Sequence, residues 1–347
     1  MASMWQRIFG GGRKTVAPRA QPRATVMPAP APAPRIAAAV RPTMPRTQIE
    51  DRFQRFVLDL PDADIDGPTA SEQATLKRLE LLSTRFDMRR LPRLPSVLPQ
   101  LLRTLKNEDA AGGQLAKLVG RDPLMVGEVM RVTSSVYYRS AQPITSLQQA
   151  VVLLGQDGLR QVLTQHVMKP ILQANAGALG HAAGVRLWDH AERCAHACAW
   201  LGKSSGCDSF EAYLAGIICR TGTGAVVRLL DQLIADVSVP LSPGFLDSCA
   251  RLAGRLSLQA AQHWELPARV IEAMADGQDP ASPPTTALGK ALSAADLLAM
   301  AQLLAEHARI AADLDLSQGD GDPFAPALLT RCQQDLRRHF TQPQTTG

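Results

Sequence analysis

The sequence predicts an all-α fold, and three observations support this prediction. Hydrophobic residues make up 46% of the 347 residues, whereas aromatic residues make up only 4%, and the predominance of Leu and Ala favours helices over sheets. Two segments carry helix-start signals, Asp122-Pro123 and the pair Ser146 and Gln149. No segment of useful length alternates apolar and polar residues as a half-buried strand does.

The two start signals each predict a capped helix. The Asp122 carboxylate can accept from free N–H groups, and Pro123 has the backbone angle of a first helical position. Apolar residues then recur at helical spacing as far as Met130, so one face is expected to be buried. Ser146 and Gln149 have the spacing of a capping box, and Gly155 is placed to end that second helix.

The order of these signals resembles the HDOD family, the output relatives of HD-type phosphohydrolases in bacterial signalling. The matching residues are Leu94-Pro95-Ser96, Arg121-Asp122-Pro123, the Ser134–Tyr138 step, Pro143-Ile144-Thr145-Ser146-Leu147 and the run Ala150–Gly155. The resemblance covers roughly residues 91–298. It implies an HDOD-like helical domain over residues 91–310, with two helical subdomains: a first half at about 91–175 and a degenerate HD-like half at about 181–310.

The flanking segments differ in composition. Residues 1–70 are predicted to be a disordered Ala/Pro/Arg-rich arm and linker, because such a segment buries too little apolar surface to offset its chain entropy. Within this arm, Ile49–Leu60 has the pattern of a short helix. A lead-in helix is expected in residues 71–90, and residues 311–347 form a C-terminal tail with a helix in Ala325–His339.

Further helices are predicted from apolar spacing and caps. They are Ser96–Lys106, Gly112–Val119, Gly158–Leu172, Ala183–Lys203, Ser209–Cys219, Gly222–Leu233, Ser257–Trp264, Pro267–Met274 and Thr286–His307. The Gly222-Thr223-Gly224 run lacks the preceding strand and following Lys of a phosphate loop, so a helix break is predicted there.

The net charge of +5 is unevenly distributed. Residues 1–55 contain ten basic and two acidic residues, which leaves 27 basic and 30 acidic residues in the rest of the chain. The folded part therefore lacks the basic balance of a nucleic-acid platform, and no specific nucleic-acid binding is expected from it. An attraction to polyanions would belong to the arm.

The six cysteines, together with the absence of a secretory signal, indicate a cytoplasmic protein with reduced thiols. No apolar run is judged long enough to span a bilayer, so no transmembrane segment is expected. His190, Cys194 and Cys198 share one helix face, which fits either a zinc or redox cluster or buried small cysteines.

The resemblance also implies where a metal site would lie, because HD phosphohydrolases bind divalent ions through histidines and aspartates on several helices. The first histidine falls on His190, and the central His-Asp pair falls on Cys219 and Arg220. A later pair, often two histidines, falls on Gly277 and Gln278, and the last aspartate falls on Asp296. Two of these expected ligands remain and the others are replaced.

Arg220 is the decisive replacement, because a guanidinium is always protonated. Two unit charges about 4 Å apart interact by about 4 kcal/mol at an effective dielectric near 20, and a divalent ion would roughly double this as repulsion. We therefore expect no metal, no cofactor and no catalytic residue. Arg220 is predicted either to pair with Asp296 or Asp189, which is favoured, or to point to solvent.

These observations predict a non-catalytic bacterial signalling module that acts by binding other proteins. Its expected partners are signalling proteins of two-component or cyclic-di-GMP pathways, because the family often appears beside domains of those pathways. One alternative is a diverged metal-dependent phosphohydrolase that uses His190, Cys219 and Asp296. The other is nucleic-acid or polyanion binding through the basic arm. The sequence does not predict the oligomeric state, the partner's identity or the signal.

Overall fold

A computed structural model describes residues 42–62, 67–84, 115–117, 119–135, 138, 144–173, 180–233, 241–278, 282–316 and 323–340. The all-α prediction is confirmed. The described residues form eleven helices, and their one extended pairing is an isolated bridge between Thr43 and Asp315. In chain order the helices are α1 (Arg46–Leu58), α2 (Ala70–Thr84), α3 (Pro123–Thr133), α4 (Leu147–Gln173), α5 (Gly180–Ser204), α6 (Ser209–Ile218), α7 (Thr221–Leu233), α8 (Pro243–His263), α9 (Ala268–Asp276), α10 (Ala287–Glu306) and α11 (Pro326–Phe340).

The predicted caps of α3 and α4 are present. Asp122 Oδ1 accepts from Leu124 N at 2.8 Å and from Met125 N at 3.4 Å. Ser146 Oγ accepts from Gln149 N at 3.2 Å. Gly155 has a φ of +66°, which interrupts α4 as the sequence predicted, although helical structure resumes and continues to Gln173. Only glycine adopts this left-handed backbone without a steric cost.

The described helices enclose two hydrophobic cores. The smaller one is formed by α3, much of α4 and the residues Leu115 and Val119 before α3. Leu115, Val129 and Leu163 are fully buried in it. The larger one is formed by the end of α4, α1, α2 and the helices from α5 onward. Helix α5 is central to the larger core, because it packs against α1, α4, α6, α7, α10 and α11. Its position brings residues of many helices to one place.

Two glycines allow the closest helix crossings of this core. A Cβ on Gly216 of α6 would lie 2.6 Å from Ala195 Cα of α5, and a Cβ on Gly222 of α7 would overlap the carbonyl oxygen of Ala253 in α8. The helix break predicted at Gly222-Thr223-Gly224 is therefore wrong. These residues form the first turn of α7, and Gly222 N donates to Ser257 Oγ at 2.8 Å.

The predicted arm extends too far toward the C-terminus. Helix α1 begins at Arg46, and Phe53 on it is fully buried against α5, α8 and α10. The buried Arg55 guanidinium donates to Leu241 O at 3.0 Å, which holds α1 to the segment before α8. Residues 46–58 are thus part of the folded core.

Helix α8 begins at Pro243 rather than at Ser257, where the sequence predicted its start. Ser242 caps it, because Ser242 Oγ accepts from Phe245 N at 3.2 Å. Glu72 of α2 accepts from Ser242 N at 2.7 Å and from Ser242 Oγ at 3.0 Å. This cap therefore depends on a residue far away in the sequence.

The C-terminal helix α11 is fixed to α5 by a cluster of rings and charges. His196 Nε2 lies 2.7 Å from Asp335 Oδ2, and the rings of His196 and His339 stack with centroids 4.3 Å apart. The Arg193 guanidinium lies over the Phe340 ring at 4.7 Å. The histidine spacing in the sequence gave no indication of this cluster.

Two helical stretches are long and apolar enough to cross a membrane, contrary to the sequence prediction that none is. They are Ser209–Leu233 and Ala287–Glu306, of which 83% and 72% of the apolar window is buried inside the fold. Helices of a protein core have the same composition, so their burial here accounts for it.

Several predictions concern residues outside the described part of the chain. These are the disordered segment before residue 42, the domain opening at Leu94-Pro95-Ser96, the helix Ser96–Lys106 and the end of the lead-in helix after residue 84.

Candidate degenerate metal site

Four of the six predicted site positions lie close together around α5. His190 lies on α5, Cys219 and Arg220 form the two-residue turn between α6 and α7, and Asp296 lies in the middle of α10. Helix α1 adds Phe53, whose ring centroid lies 4.8 Å from that of His190. The side chains of four elements, α1, α5, α10 and the turn between α6 and α7, therefore meet at one centre.

An ion pair between Arg220 and Asp296 occupies this centre, as the sequence favoured. Arg220 Nε donates to Asp296 Oδ1 at 2.8 Å and Arg220 Nη2 donates to Asp296 Oδ2 at 2.6 Å. Such a bidentate pair is among the strongest side-chain contacts because both hydrogen bonds are charge-assisted. The guanidinium also lies over the Phe53 ring at 5.3 Å and donates to Met300 Sδ at 3.3 Å.

The pKa values reflect this pairing. Burial alone would raise the pKa of Asp296, but the charge of Arg220 and the contact with His190 outweigh it, so the pKa lies far below its ordinary value. Burial would likewise lower the pKa of Arg220, but Asp296 raises it well above the ordinary value. Both groups are therefore charged near pH 7.

His190 is fully buried beside this pair. Its Nε2 lies 3.1 Å from Asp296 Oδ1, although the ring N–H is not directed at the oxygen as in a good hydrogen bond. Burial lowers the pKa of His190, an effect that Asp296 only partly offsets. The imidazole is therefore neutral near pH 7.

A second cation approaches Asp296 from α1. Arg46 Nη2 lies 3.9 Å from Asp296 Oδ2, and Arg46 Nη1 donates to Ser293 Oγ at 2.7 Å. Arg46 also pairs with Glu50 at 2.8 Å within its own helix. The carboxylate of Asp296 thus has cationic neighbours from two directions.

Two thiols lie on the other side of the centre. Cys194 Sγ and Cys219 Sγ are 3.7 Å apart, and Cys219 Sγ also lies 3.2 Å from Gly216 O. Cys194 is fully buried, while Cys219 is half-buried. The hydrogen bond with Cys219, together with burial, holds the pKa of Cys194 well above its ordinary value, so this thiol stays protonated.

These residues do not fit a divalent metal ion. One donor atom each from His190, Cys194 and Asp296 lies within 4.8 Å of the other two, which is the spacing of a ligand set. However, both Asp296 oxygens already accept from Arg220. A metal ligand must be free to coordinate, whereas Asp296 is held by a fixed cation, and the positive charge of Arg220 would repel a divalent ion from the same place.

The other two predicted positions share a cavity with the ion pair. Gly277 follows the last residue of α9, and Gln278 Nε2 donates to Met274 O at 3.1 Å. Both line a cavity of about 640 Å³ between α1, α8, α9 and α10, and Arg220 and Asp296 line it as well. The adjacent Asp276 accepts from Thr285 and Thr286, which fixes the loop before α10.

Sequence reasoning missed Phe53, Arg46 and Met300 as parts of this centre. The paired aromatic residues Phe53 and Phe56 in a Pro- and Arg-rich segment were the available signal, because such large apolar side chains are usually buried. Nothing local indicated that they would cover α5 and the turn that contains Arg220.

Comparison with known proteins agrees with this fold. The family model for the HDOD domain matches residues 91–280. An uncharacterized protein of Treponema pallidum (strain Nichols) is 25% identical over 208 residues, which cover 57% of this chain and 39% of that protein, so this relative is much longer than the matching region.

Solved structures share the fold at low sequence identity. An HDOD domain protein of unknown function from Geobacter sulfurreducens is 18% identical, with a TM-score of 0.52 and coverage of 78% of this chain and 99% of that one. A candidate metal-dependent phosphohydrolase from Shewanella amazonensis SB2B is 16% identical, with a TM-score of 0.54 and the same coverage.

A candidate signal transduction protein from Marinobacter aquaeolei VT8 is 20% identical, with a TM-score of 0.53 and coverage of 85% of this chain and 64% of that one. The structural neighbours therefore include proteins described as phosphohydrolases and as signalling proteins, and all share the all-helical architecture. With the family model matching more than half of its residues, this chain belongs to the HDOD domain family.

Proposed function

We propose that this chain is a non-catalytic regulatory module in bacterial signalling, which works in the cytoplasm by binding another protein. The observation that carries this proposal is the bidentate ion pair of Arg220 and Asp296, with hydrogen bonds of 2.8 and 2.6 Å. By the family resemblance, Arg220 stands where a hydrolytic relative would have a metal-binding carboxylate, which supports the proposal.

The charge of the pair supports a structural role for this centre. Metal-assisted hydrolysis needs an ion that lowers the pKa of a bound water and polarises phosphate. Here a guanidinium neutralises the Asp296 carboxylate, and the histidine beside it is neutral and buried. The centre therefore joins α5, α6, α7 and α10 into one body that can present a helical surface to a partner.

The first experiment measures metal content and hydrolysis. The full chain is purified, incubated with Mn²⁺ or Fe²⁺, desalted and analysed for bound metal, and it is then assayed with cyclic dinucleotides and nucleotides. We expect no stoichiometric metal and no turnover. Bound metal together with hydrolysis that is lost in His190→Ala would overturn the proposal and support the diverged phosphohydrolase.

A gain-of-function comparison makes this test sharper. The double variant Cys219→His/Arg220→Asp restores the dipeptide typical of HD phosphohydrolases beside His190 and Asp296. We expect this variant to bind more divalent metal than the wild type, because a repelling cation is replaced by an anion. Equal metal binding by the two proteins would contradict the electrostatic reasoning.

The binding role needs its own experiment. The full chain and a version that starts at residue 42 are used as bait in cells of the native organism, followed by cross-linking and mass spectrometry. The shortened version keeps α1, whose Phe53 is buried in the core. We expect a signalling protein to be retained by both versions, and a partner retained only by the full chain would assign binding to the basic arm.

A further inference from the structure

The two thiols at the centre form a pair that the proposed function does not use. Cys194 Sγ on α5 and Cys219 Sγ in the turn after α6 are 3.7 Å apart. A disulfide needs the two sulfurs at about 2.05 Å. The two sulfurs would have to approach each other by about 1.7 Å to form this bond.

The backbones are close because of Gly216. A Cβ on Gly216 would lie 2.7 Å from Cys194 O and 2.6 Å from Ala195 Cα. Gly216 lies about one helical turn before Cys219, so α5 and α6 are in close contact beside the thiol pair. The chain positions of the two cysteines therefore suit a cross-link without separation of the helices.

The two thiols differ in access to solvent. Cys219 lines the cavity of about 640 Å³ and is half-buried, whereas Cys194 lies behind it and is fully buried. A small oxidant that enters the cavity meets Cys219 first. This arrangement of an accessible thiol with a second thiol behind it is typical of cysteines that are oxidised reversibly.

We propose that Cys194 and Cys219 are a redox modification site that forms an intramolecular disulfide with a hydroperoxide. Cys219 sulfur attacks the peroxide oxygen, the O–O bond breaks, and Cys219 becomes a sulfenic acid as one water leaves. Cys194 sulfur then attacks the Cys219 sulfur, the proton of the Cys194 thiol passes to the leaving hydroxyl, and a second water departs. Two thiols and one hydrogen peroxide thus give one disulfide and two waters, and a dithiol reductant reverses the reaction.

The disulfide would affect the Arg220–Asp296 ion pair because Cys219 and Arg220 are consecutive residues. Cys219 is bonded to Arg220, whose guanidinium holds Asp296. Moving Cys219 toward α5 shifts the turn that carries Arg220 and therefore changes the cavity wall. Oxidation would thus alter the surface formed by α1, α8, α9 and α10 without any metal.

The test uses the reduced full chain and hydrogen peroxide. Remaining thiols are blocked with an alkylating reagent, and digested peptides are mapped by mass spectrometry before and after dithiothreitol. We expect a peptide pair that links Cys194 to Cys219, a loss of about two free thiols per chain, and full recovery on reduction. The wild-type peptide map decides the question even if variants fold poorly.

Variants identify the order of the steps. In Cys194→Ser, Cys219 is expected to stop at the sulfenic acid and to react with dimedone, at about one label per chain. In Cys219→Ser, Cys194 should stay reduced. Cys207→Ser is the matched control, because Cys207 is also a half-buried thiol, and it should leave the disulfide unchanged.

Two results would overturn the proposal. One is a peptide map in which Cys194 stays free while Cys219 proceeds to sulfinic acid. The other is a disulfide that links different cysteines, such as Cys198 and Cys332, with the proposed pair still reduced.

Discussion

Replacement of Arg220 by Met tests the role of the central ion pair most directly. Met has a similar length and no charge, so Arg220→Met leaves the Asp296 carboxylate with His190 at 3.1 Å and Arg46 at 3.9 Å. The side chains of Arg220 and Asp296 are only 17% and 14% exposed, so solvent can replace little of the lost contact.

The expected cost follows from this burial. Removing one partner of a buried ion pair destabilises proteins by about 3–5 kcal/mol, and loss of the contact with the Phe53 ring adds about 0.5–2 kcal/mol. The remaining neighbours of Asp296 recover part of this. We therefore expect a net loss of about 3 kcal/mol, which corresponds to a fall in Tm of roughly 6–12 °C.

The assay is thermal unfolding followed by circular dichroism, with Arg46→Met as the matched control. Arg46 is 36% exposed and reaches Asp296 only at 3.9 Å, so its removal should cost less than about 1 kcal/mol. The double variant Arg220→Met/Asp296→Leu removes the unpaired carboxylate and should be more stable than Arg220→Met alone.

The pH dependence gives a second readout of the same variant. Without Arg220, Asp296 attracts a proton to His190, so the pKa of His190 rises in the folded state. A raised histidine pKa gives stability that is present at low pH and lost as pH rises through it. Arg220→Met should therefore be less destabilised at pH 6 than at pH 8. A Tm equal to that of Arg46→Met at both pH values would refute the reasoning.

Three further predictions concern other parts of the fold. Burial raises the pKa of Glu192 to about 7 from 4.5, so the wild type loses part of its stability as pH rises from 4.5 to 7. The variant Glu192→Gln should not show this loss when Tm is measured across the same pH range. Burial and His196 lower the pKa of His339 to about 4 from 6.5, so the wild type loses stability as pH falls from 6.5 to 4. In His339→Gln, Tm should fall less over this pH range. Gly222→Ala should lower the Tm by several degrees or prevent folding, because its Cβ would overlap Ala253 O, whereas Gly277→Ala, with open space around it, should change little.

The parts of the fold that could be predicted are those fixed by nearby residues. The caps at Asp122 and Ser146 follow from one side chain and the next turn, and both are present as expected. The start of α8 was missed because the Ser242 cap is completed by Glu72 from a distant helix. Local pattern carries no information about such a partner.

The candidate site divides in the same way. The family resemblance placed His190, Arg220 and Asp296 together, and the charges favoured a pair of Arg220 with Asp296 or Asp189, of which the structure shows the first. The approach of Cys219 to Cys194 and the cover of Phe53 over the guanidinium depend on how three helices cross. Those crossings depend on Gly216, Gly222 and the buried face of α1. These residues meet the neighbouring helices only in the folded chain.

The packing of α1 over Arg220 affects where the boundaries of a domain fragment should be placed. Phe53 precedes the segment matched by the family model, and Asp296 follows it. A fragment trimmed to residues 91–280 would keep Arg220 while discarding its counter-ion and the ring above it. In such a fragment the Arg220 guanidinium would lack the carboxylate and the ring that it contacts in the longer chain. Binding measured with the fragment would therefore include a charged surface that is covered in the longer chain.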